Sequence, residues 1–281
     1  MIGSISTFVA AENGGRISTA TIRKVPSQAS TASWWVDLSM AAGIPTPNFY
    51  ASEPLVAATL NPMRGINHGD NKAPSEKYLE GFELVTPSAA FVGQYYLLDY
   101  LVYYPFVDLD SLDQQDFDNT VSAGRYSGGD GVMAMFVCAA PTTGGGSFTY
   151  TYVNQAGDTK TSPTISYTTS AASISNIVTS QPATVAGIGP FLPLASGDTG
   201  IRSITSLTNL GSTGGLGTIV LVKPIATHAI YEINTAHEVE FVRDRPHLPR
   251  IYDGAYLGIV MQCAATVAGA TLVGRLTTVW S

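Results

Sequence analysis

The chain has 281 residues, enough for one large β domain or two small ones. Hydrophobic residues make up 45% and charged residues only 12%, against about 25% charged in an ordinary soluble domain. Net charge is −7, which argues against a basic groove tracking nucleic acid and against electrostatic attachment to a membrane. The charge deficit has two explanations. One is a surface built from Ser, Thr, Asn and Gln. The other is surface buried against further copies or a partner.

Residues 1–33 are rich in Ser, Thr, Ala and Gly. Phe8–Ala10 and Ile17–Val25 each read as a short strand, and Pro26 to Ser33 as linker. Met1-Ile2-Gly3-Ser4 lacks the basic and apolar regions of a secretory signal. The stretch is expected to be an N-terminal arm ordered on a neighbouring subunit, or else a frayed tail. If it is an arm, deleting 1–33 leaves the β core folded.

Residues 34–75 continue as an irregular segment of prolines and aromatics. Trp34-Trp35-Val36-Asp37-Leu38 is compact, and Pro45 and Pro47 forbid a helix or a central strand. Large apolar side chains on an extended segment need a surface to lie on. The segment is therefore the packed edge of its own domain or a clamp on a neighbour. Trp34, Trp35, Phe49, Tyr50 and Leu55 are its candidate subunit or capsid contacts.

Residues 76–281 carry dense strand signals. Tyr78–Thr86 ends at Pro87. Phe91–Val107 is the most aromatic stretch, with Tyr95, Tyr96, Tyr100, Tyr103 and Tyr104. Its length allows a helix over 95–104, but β-preferring tyrosines and Pro105 favour a long strand or a bulged one. Gly131–Thr168 reads as strand, turn, strand, turn, strand, a meander of sequence neighbours. Ala171–Ser180 reads as a weak strand and Gln181–Gly200 as a long loop. Ile201–Leu210 alternates, Thr218–Val222 ends before Pro224, and Ala229–Ile233 and Val239–Val242 are short strands. Tyr256–Cys263 and Thr271–Trp280 close the sheet. Ala255–Gly274 is uncharged and about bilayer length, yet its glycines and polar residues suit two strands and a turn better than a membrane helix. The sum is all-β: a β-sandwich or jelly-roll-like domain of about ten strands behind an extended N-terminal arm.

Chemistry-bearing patterns are sparse. Asp108, Asp110, Asp113, Asp116 and Asp118 crowd one loop, but the glycine and bidentate glutamate of a calcium-binding EF-hand loop are missing. Solvated acids that protect a strand edge explain them better. His68, His228, His237 and His247 show no metal-like spacing, and His237-Glu238 beside Glu240 reads as a polar strand edge. Cys138 and Cys263 lie in apolar strand-like runs and read as reduced core thiols; a disulfide requires those strands to be neighbours. No nucleophile elbow, phosphate-binding loop or singled-out carboxylate pair appears. The expectation is a non-enzyme with no catalytic residues, no metal and no cofactor.

Several blocks do resemble a known family. Trp35–Ser39, Gly43–Pro45, Gly65–Gly69, Lys77–Leu79, Leu98–Asp108, Thr149–Gly157, Gly189–Leu194, Ser196–Gly200, Leu221–Pro224 and Thr278–Ser281 resemble a virion structural protein family of tailed bacteriophages. The family has no catalytic motif to carry over. The resemblance implies a head or tail component, a capsid decoration or cement protein. Its partners would be the major capsid protein and further copies of itself as a homotrimer, with no nucleic acid and no membrane. It would be made in the host cytoplasm and located in the virion. The alternative is a tail-associated receptor- or carbohydrate-binding module, with Tyr95–Tyr104 or loop aromatics stacking on sugars.

Overall fold

The computed structural model describes residues 2, 4–167, 174–178, 189–211, 214–244 and 248–281. In chain order the strands are β1 Ile17–Val25, β2 Trp35–Asp37, β3 Ala42–Ile44, β4 Lys77–Val85, β5 Gly93–Asp108 and β6 Gln115–Asp116. Then come β7 Met133–Cys138, β8 Gly146–Asn154, β9 Thr159–Thr161, β10 Ile165–Tyr167 and β11 Ile201–Asn209. The last are β12 Leu216–Ile230, β13 His237–Glu240, β14 Arg250–Ile251, β15 Tyr256–Gln262 and β16 Leu272–Trp280. Among the described residues two α-helices accompany them, α1 Ile5–Asn13 and the single turn α2 Phe241–Asp244. The all-β, sandwich-like expectation holds, with more and shorter strands than the ten expected.

The strands form three antiparallel sheets. The central one is ordered β2-β15-β5-β12-β7. A six-stranded sheet runs β13-β4-β16-β1-β3, with β14 also on β4, and a third runs β10-β8-β11-β6, with β9 on β8. Buried residues of all three sheets share one core, including Phe82 of β4, Leu97 of β5, Tyr150 of β8 and Ile219 of β12. Phe136 on β7 meets Phe148 on β8 at 5.2 Å between ring centroids. Phe82 meets His228 on β12 at 5.5 Å. One face of the central sheet thus packs against both of the others.

Its second face is buried too. Leu98, Tyr100, Tyr103, Val220, Val222, Tyr256 and Val260 form a separate cluster with Trp35, Met40, Tyr50, Leu60 and Phe191. The irregular segment after residue 33 is therefore the cover of this sheet, supplied by the same chain. That answers the choice between packed edge and clamp in favour of the former. It also explains why β5 reads as a nearly unbroken apolar run: a strand buried on both faces loses the polar alternation of a half-exposed one.

Two prolines inside long strands have a common explanation. Along β5 and β12 the register passes from Gly217↔Val107 to Ile219↔Tyr104, so Pro105 and Phe106 form a bulge on β5. It passes again from Pro224↔Leu98 to Ala226↔Leu97, a bulge on β12. β7 ends opposite Val222, so beyond that point β12 has no ladder partner on this side among the described residues. Proline is tolerated at bulges and edges because no ladder donor is required there. The strand expected to stop before Pro224 accordingly runs on to Ile230. Gly217 serves packing: a Cβ there would lie 2.0 Å from the Phe136 ring.

Three sequence expectations are corrected. Residues 5–13 form a helix, so Phe8–Ala10 is no strand; Ser4 caps it with a reciprocal capping box to Thr7. Ile17–Val25 is the strand expected, with the same bounds, but it belongs to no free arm, because β1 lies between β16 and β3. And the meander is broken: β7 pairs with β12 in the central sheet, while β8 pairs with β9, β10 and β11 in another. Its first turn is a crossing between sheets, whereas its second, through Asn154–Gly157, is a true hairpin. Ala171–Ser180 and Gln181–Gly200 lie partly outside the described residues; within them, Asn176 and Ile177 bridge Val36 and Val137.

Candidate functional site

The buried charged groups divide into three clusters, each saturated by its own neighbours. Asp37, at the end of β2, is fully buried. Its Oδ1 accepts from the Ser39 N–H at 2.8 Å and from the Tyr100 hydroxyl at 2.8 Å, and its Oδ2 from the Tyr50 hydroxyl. Burial raises the Asp37 carboxyl above its ordinary value, and these donors oppose the rise. Nearby Lys24 donates to the carbonyls of Ala41 at 3.1 Å and Pro45 at 2.8 Å. Desolvation lowers its ammonium to about 8, with Asp37 opposing.

The second cluster is a bidentate pair. Arg125 Nε and Nη2 donate to Asp99 Oδ2 and Oδ1 at 2.8 and 2.7 Å, and the Tyr256 N–H adds a third donor at 3.1 Å. Arg125 also reaches the carbonyls of Gly254 and Tyr100. Burial pushes the Asp99 carboxyl up, and Arg125 opposes it. Both carboxylate oxygens face donors, which fits the ionised form. Removing one member of such a pair strands the other charge in low dielectric. Arg125→Ala is expected to cost about 3–5 kcal/mol in urea unfolding. A double variant with Asp99→Asn should recover part of that; equal losses in both would refute the pairing argument.

The third cluster joins His68, Lys77 and Asp253. Lys77, buried, donates from Nζ to His68 Nδ1 at 2.9 Å and pairs with Asp253 at 3.5 Å. His68 Nε2 lies 3.0 Å from the Ala255 carbonyl, which fixes that nitrogen as the N–H donor. Burial first, then the Lys77 charge, lowers His68 to about 4. These are structural pins, each held by hydrogen bonds and charge pairs within its own cluster.

One open feature is a groove of about 470 Å³ between the central sheet and β13. Gln94 and Tyr96 of β5 stand opposite Ala229 and Thr227 of β12 in the ladder, so the four share one face. Tyr231 follows two positions after Ala229, and His237, Glu238 and Val239 of β13 complete the lining. The Tyr231 ring is 81% exposed and meets His237 edge-on at 5.8 Å. Glu238 approaches Arg275 at 3.5 Å, and Arg275 is held more closely by Glu83 at 2.7 Å. His228 also lines the groove. Its pKa is lowered to about 4, by burial first, opposed by a hydrogen bond with the His237 backbone. Its Nε2 is buried without a hydrogen-bond partner among the described residues.

Of the expected contact residues, Trp34, Trp35 and Tyr50 are buried in the chain's own core. Trp35 and Tyr50 are consumed by the second face of the central sheet and Trp34 by the core shared by the three sheets, so as contacts for another subunit they are corrected. Leu55 is partly buried, its N–H on the Pro105 carbonyl and its own carbonyl receiving the Asp118 N–H. Phe49 alone of the five is well exposed, at 57%. The tyrosine platform is corrected likewise: Tyr95, Tyr100, Tyr103 and Tyr104 are buried, and of the five only Tyr95 and the half-buried Tyr96 line the groove.

The acidic loop holds itself together. The Asp110 N–H donates to Asp108, and Gln114 donates to Asp116 at 2.6 Å. Among the described residues no group of three or more His, Cys, Asp or Glu is arranged to hold a metal ion. Cys138 and Cys263 are free, buried thiols, and burial lifts Cys138 to about 12. His237–Glu240 is an edge strand, in keeping with its polar sequence. His247 lies outside the described residues. Among the described residues no helix is long and apolar enough to cross a membrane.

Comparison with known protein families finds no match, and comparison with curated proteins finds none. Among solved structures, the crystal structure of the infectious bursal disease virus VP2 subviral particle is similar at 8% identity. The similarity covers 94% of this chain and 80% of that chain with a TM-score of 0.15, too low to carry an argument.

Proposed function

We propose that the chain is a non-enzymatic virion structural protein, a capsid decoration or cement protein that oligomerises and stabilises a phage head through protein–protein contacts. The observation that carries this reading is the surface. Met63 is 89% exposed, Ile5 75%, and Phe49, Leu112 and Leu210 are each more than half exposed, on a chain with only 12% charged residues. Exposed apolar side chains with few charges between them suit a protein that works against other protein surfaces. The deeply buried charges also serve the fold, since each cluster is closed by its own hydrogen bonds. The sequence blocks that resemble tailed-phage virion proteins point the same way.

Cryo-electron microscopy of intact particles tests it. Hundreds of copies on the head lattice are expected. Density confined to tail tips would overturn the decoration reading in favour of a tail-associated receptor- or carbohydrate-binding module. The groove beside Tyr231 is the feature that favours that second reading.

A further inference from the structure

The groove's chemistry narrows what it can take. Its volume of about 470 Å³ falls within the range of small-molecule sites, about 300–1,000 Å³. No lysine or arginine lines it. Its one carboxylate, Glu238, already faces Arg275, and burial keeps His228 neutral at pH 7. A phosphate or carboxylate would therefore give up its water without gaining a cation. What the groove offers is neutral. Gln94 supplies an amide, Thr227 a hydroxyl, and Tyr96 and Tyr231 supply rings with polar tips. Gln94 and Thr227 are exposed, which leaves their polar groups accessible. Tyr231 stands at the end of β12, with one edge against His237 and most of its surface in solvent. An exposed, braced aromatic ring beside uncharged donors and acceptors matches a ligand with apolar C–H faces and a rim of hydroxyls.

We infer that this groove, between the end of β12 and β13, is a binding site for a neutral saccharide, with Tyr231 stacking on the sugar ring and Gln94 and Thr227 hydrogen-bonding its hydroxyls. The site is independent of where the chain sits in a particle: a decoration protein and a tail module would each present it. Occupation needs no rearrangement of the sheets, because the floor is a paired ladder and Tyr231 is already in place.

The test is a titration of the full-length ¹⁵N-labelled chain with neutral sugars (glucose, galactose, N-acetylglucosamine and maltose), followed by NMR, with inorganic phosphate as a separate arm. Saturable shifts are expected at 94–96, 227–231 and 237–239 with at least one sugar, and none there with phosphate. Tyr231→Ala, a surface change that leaves the core intact, should weaken binding about tenfold. Gln94→Ala should weaken it severalfold. The proposal is overturned if none of the sugars gives saturable shifts at tens of millimolar. It is equally overturned if phosphate occupies the groove instead, or if Tyr231→Ala binds as tightly as the parent.

Discussion

Removal of residues 1–25 is expected to abolish cooperative folding, whereas removal of residues 1–15 should leave the β fold intact. The difference lies in β1. Its register with β16 runs from Ile17↔Val279 to Lys24↔Leu272, and Arg23 to Val25 pair with Ile44 to Ala42 on the other side. Losing β1 opens two strand edges at once and uncovers the buried Ile22. It also removes Lys24, which ties the Ala41 and Pro45 carbonyls. At about 1 kcal/mol net per ladder bond, and about 2–3 kcal/mol for the buried isoleucine, the loss is on the order of 10 kcal/mol. That matches the whole stability of a typical domain, about 5–15 kcal/mol. α1 stands apart: apart from Ala11 its side chains are outside the core, so its loss costs only a small part of this. Circular dichroism with urea titration separates the cases. A sharp unfolding transition in the chain lacking 1–25 would show β1 to be dispensable and restore the detachable-arm reading.

The arm expectation failed for a physical reason that recurs elsewhere in the chain. β1 reads ISTATIRKV, polar at most positions, because only Ile22 and Lys24 are buried along it. The strand itself was legible, but its long-range pairing, with one edge on each of two distant segments, leaves little hydrophobic signature. The meander failed for a related reason. Apolar alternation identifies β7 and β8 as strands but says nothing about their sheet, and adjacency in sequence is only a tendency. Conversely, β5 was legible as a long strand because its tyrosines and its bulge-forming Pro105 both speak against a helix. The Trp34–Pro62 segment announced that it needed a surface. Which surface it covers follows only from a central sheet that is apolar on both faces. The groove was illegible altogether. Gln94, Tyr96, Thr227 and Tyr231 are ordinary strand residues, brought together by β5–β12 pairing across some 130 positions of sequence. Only His237-Glu238 gave a signal, and it correctly marked a polar edge.

Acid is expected to destabilise the fold before the lowered carboxylates titrate. His68 and His228 both have folded-state values of about 4, against an ordinary histidine near 6.5. Burial dominates in each; Lys77 adds to it at His68 while Asp253 opposes, and at His228 the hydrogen bond with the His237 backbone opposes it. Between about pH 6.5 and 4 the unfolded chain binds these protons and the folded chain does not. Stability is therefore fully present above pH 6.5 and falls as the pH drops through that window. A depression of this size corresponds to roughly 3 kcal/mol for each histidine by pH 4. The raised carboxyls of Asp37, Asp99 and Glu80 work in the opposite sense, since acid relieves the cost of burying their charge. The lowered ones, Glu76, Asp198 and Asp253, add to the loss at the acid end. The histidine contribution is separable because it begins at higher pH than any lowered carboxylate. Urea unfolding at intervals from pH 7.5 to 4.5 (roughly the histidine window) should show stability declining from about pH 6.5. His68→Gln and His228→Gln, whatever their effect at pH 7.5, should each flatten that slope by about half. Histidine variants that leave the slope of the parent unchanged would mean that neither imidazole is held neutral by its burial.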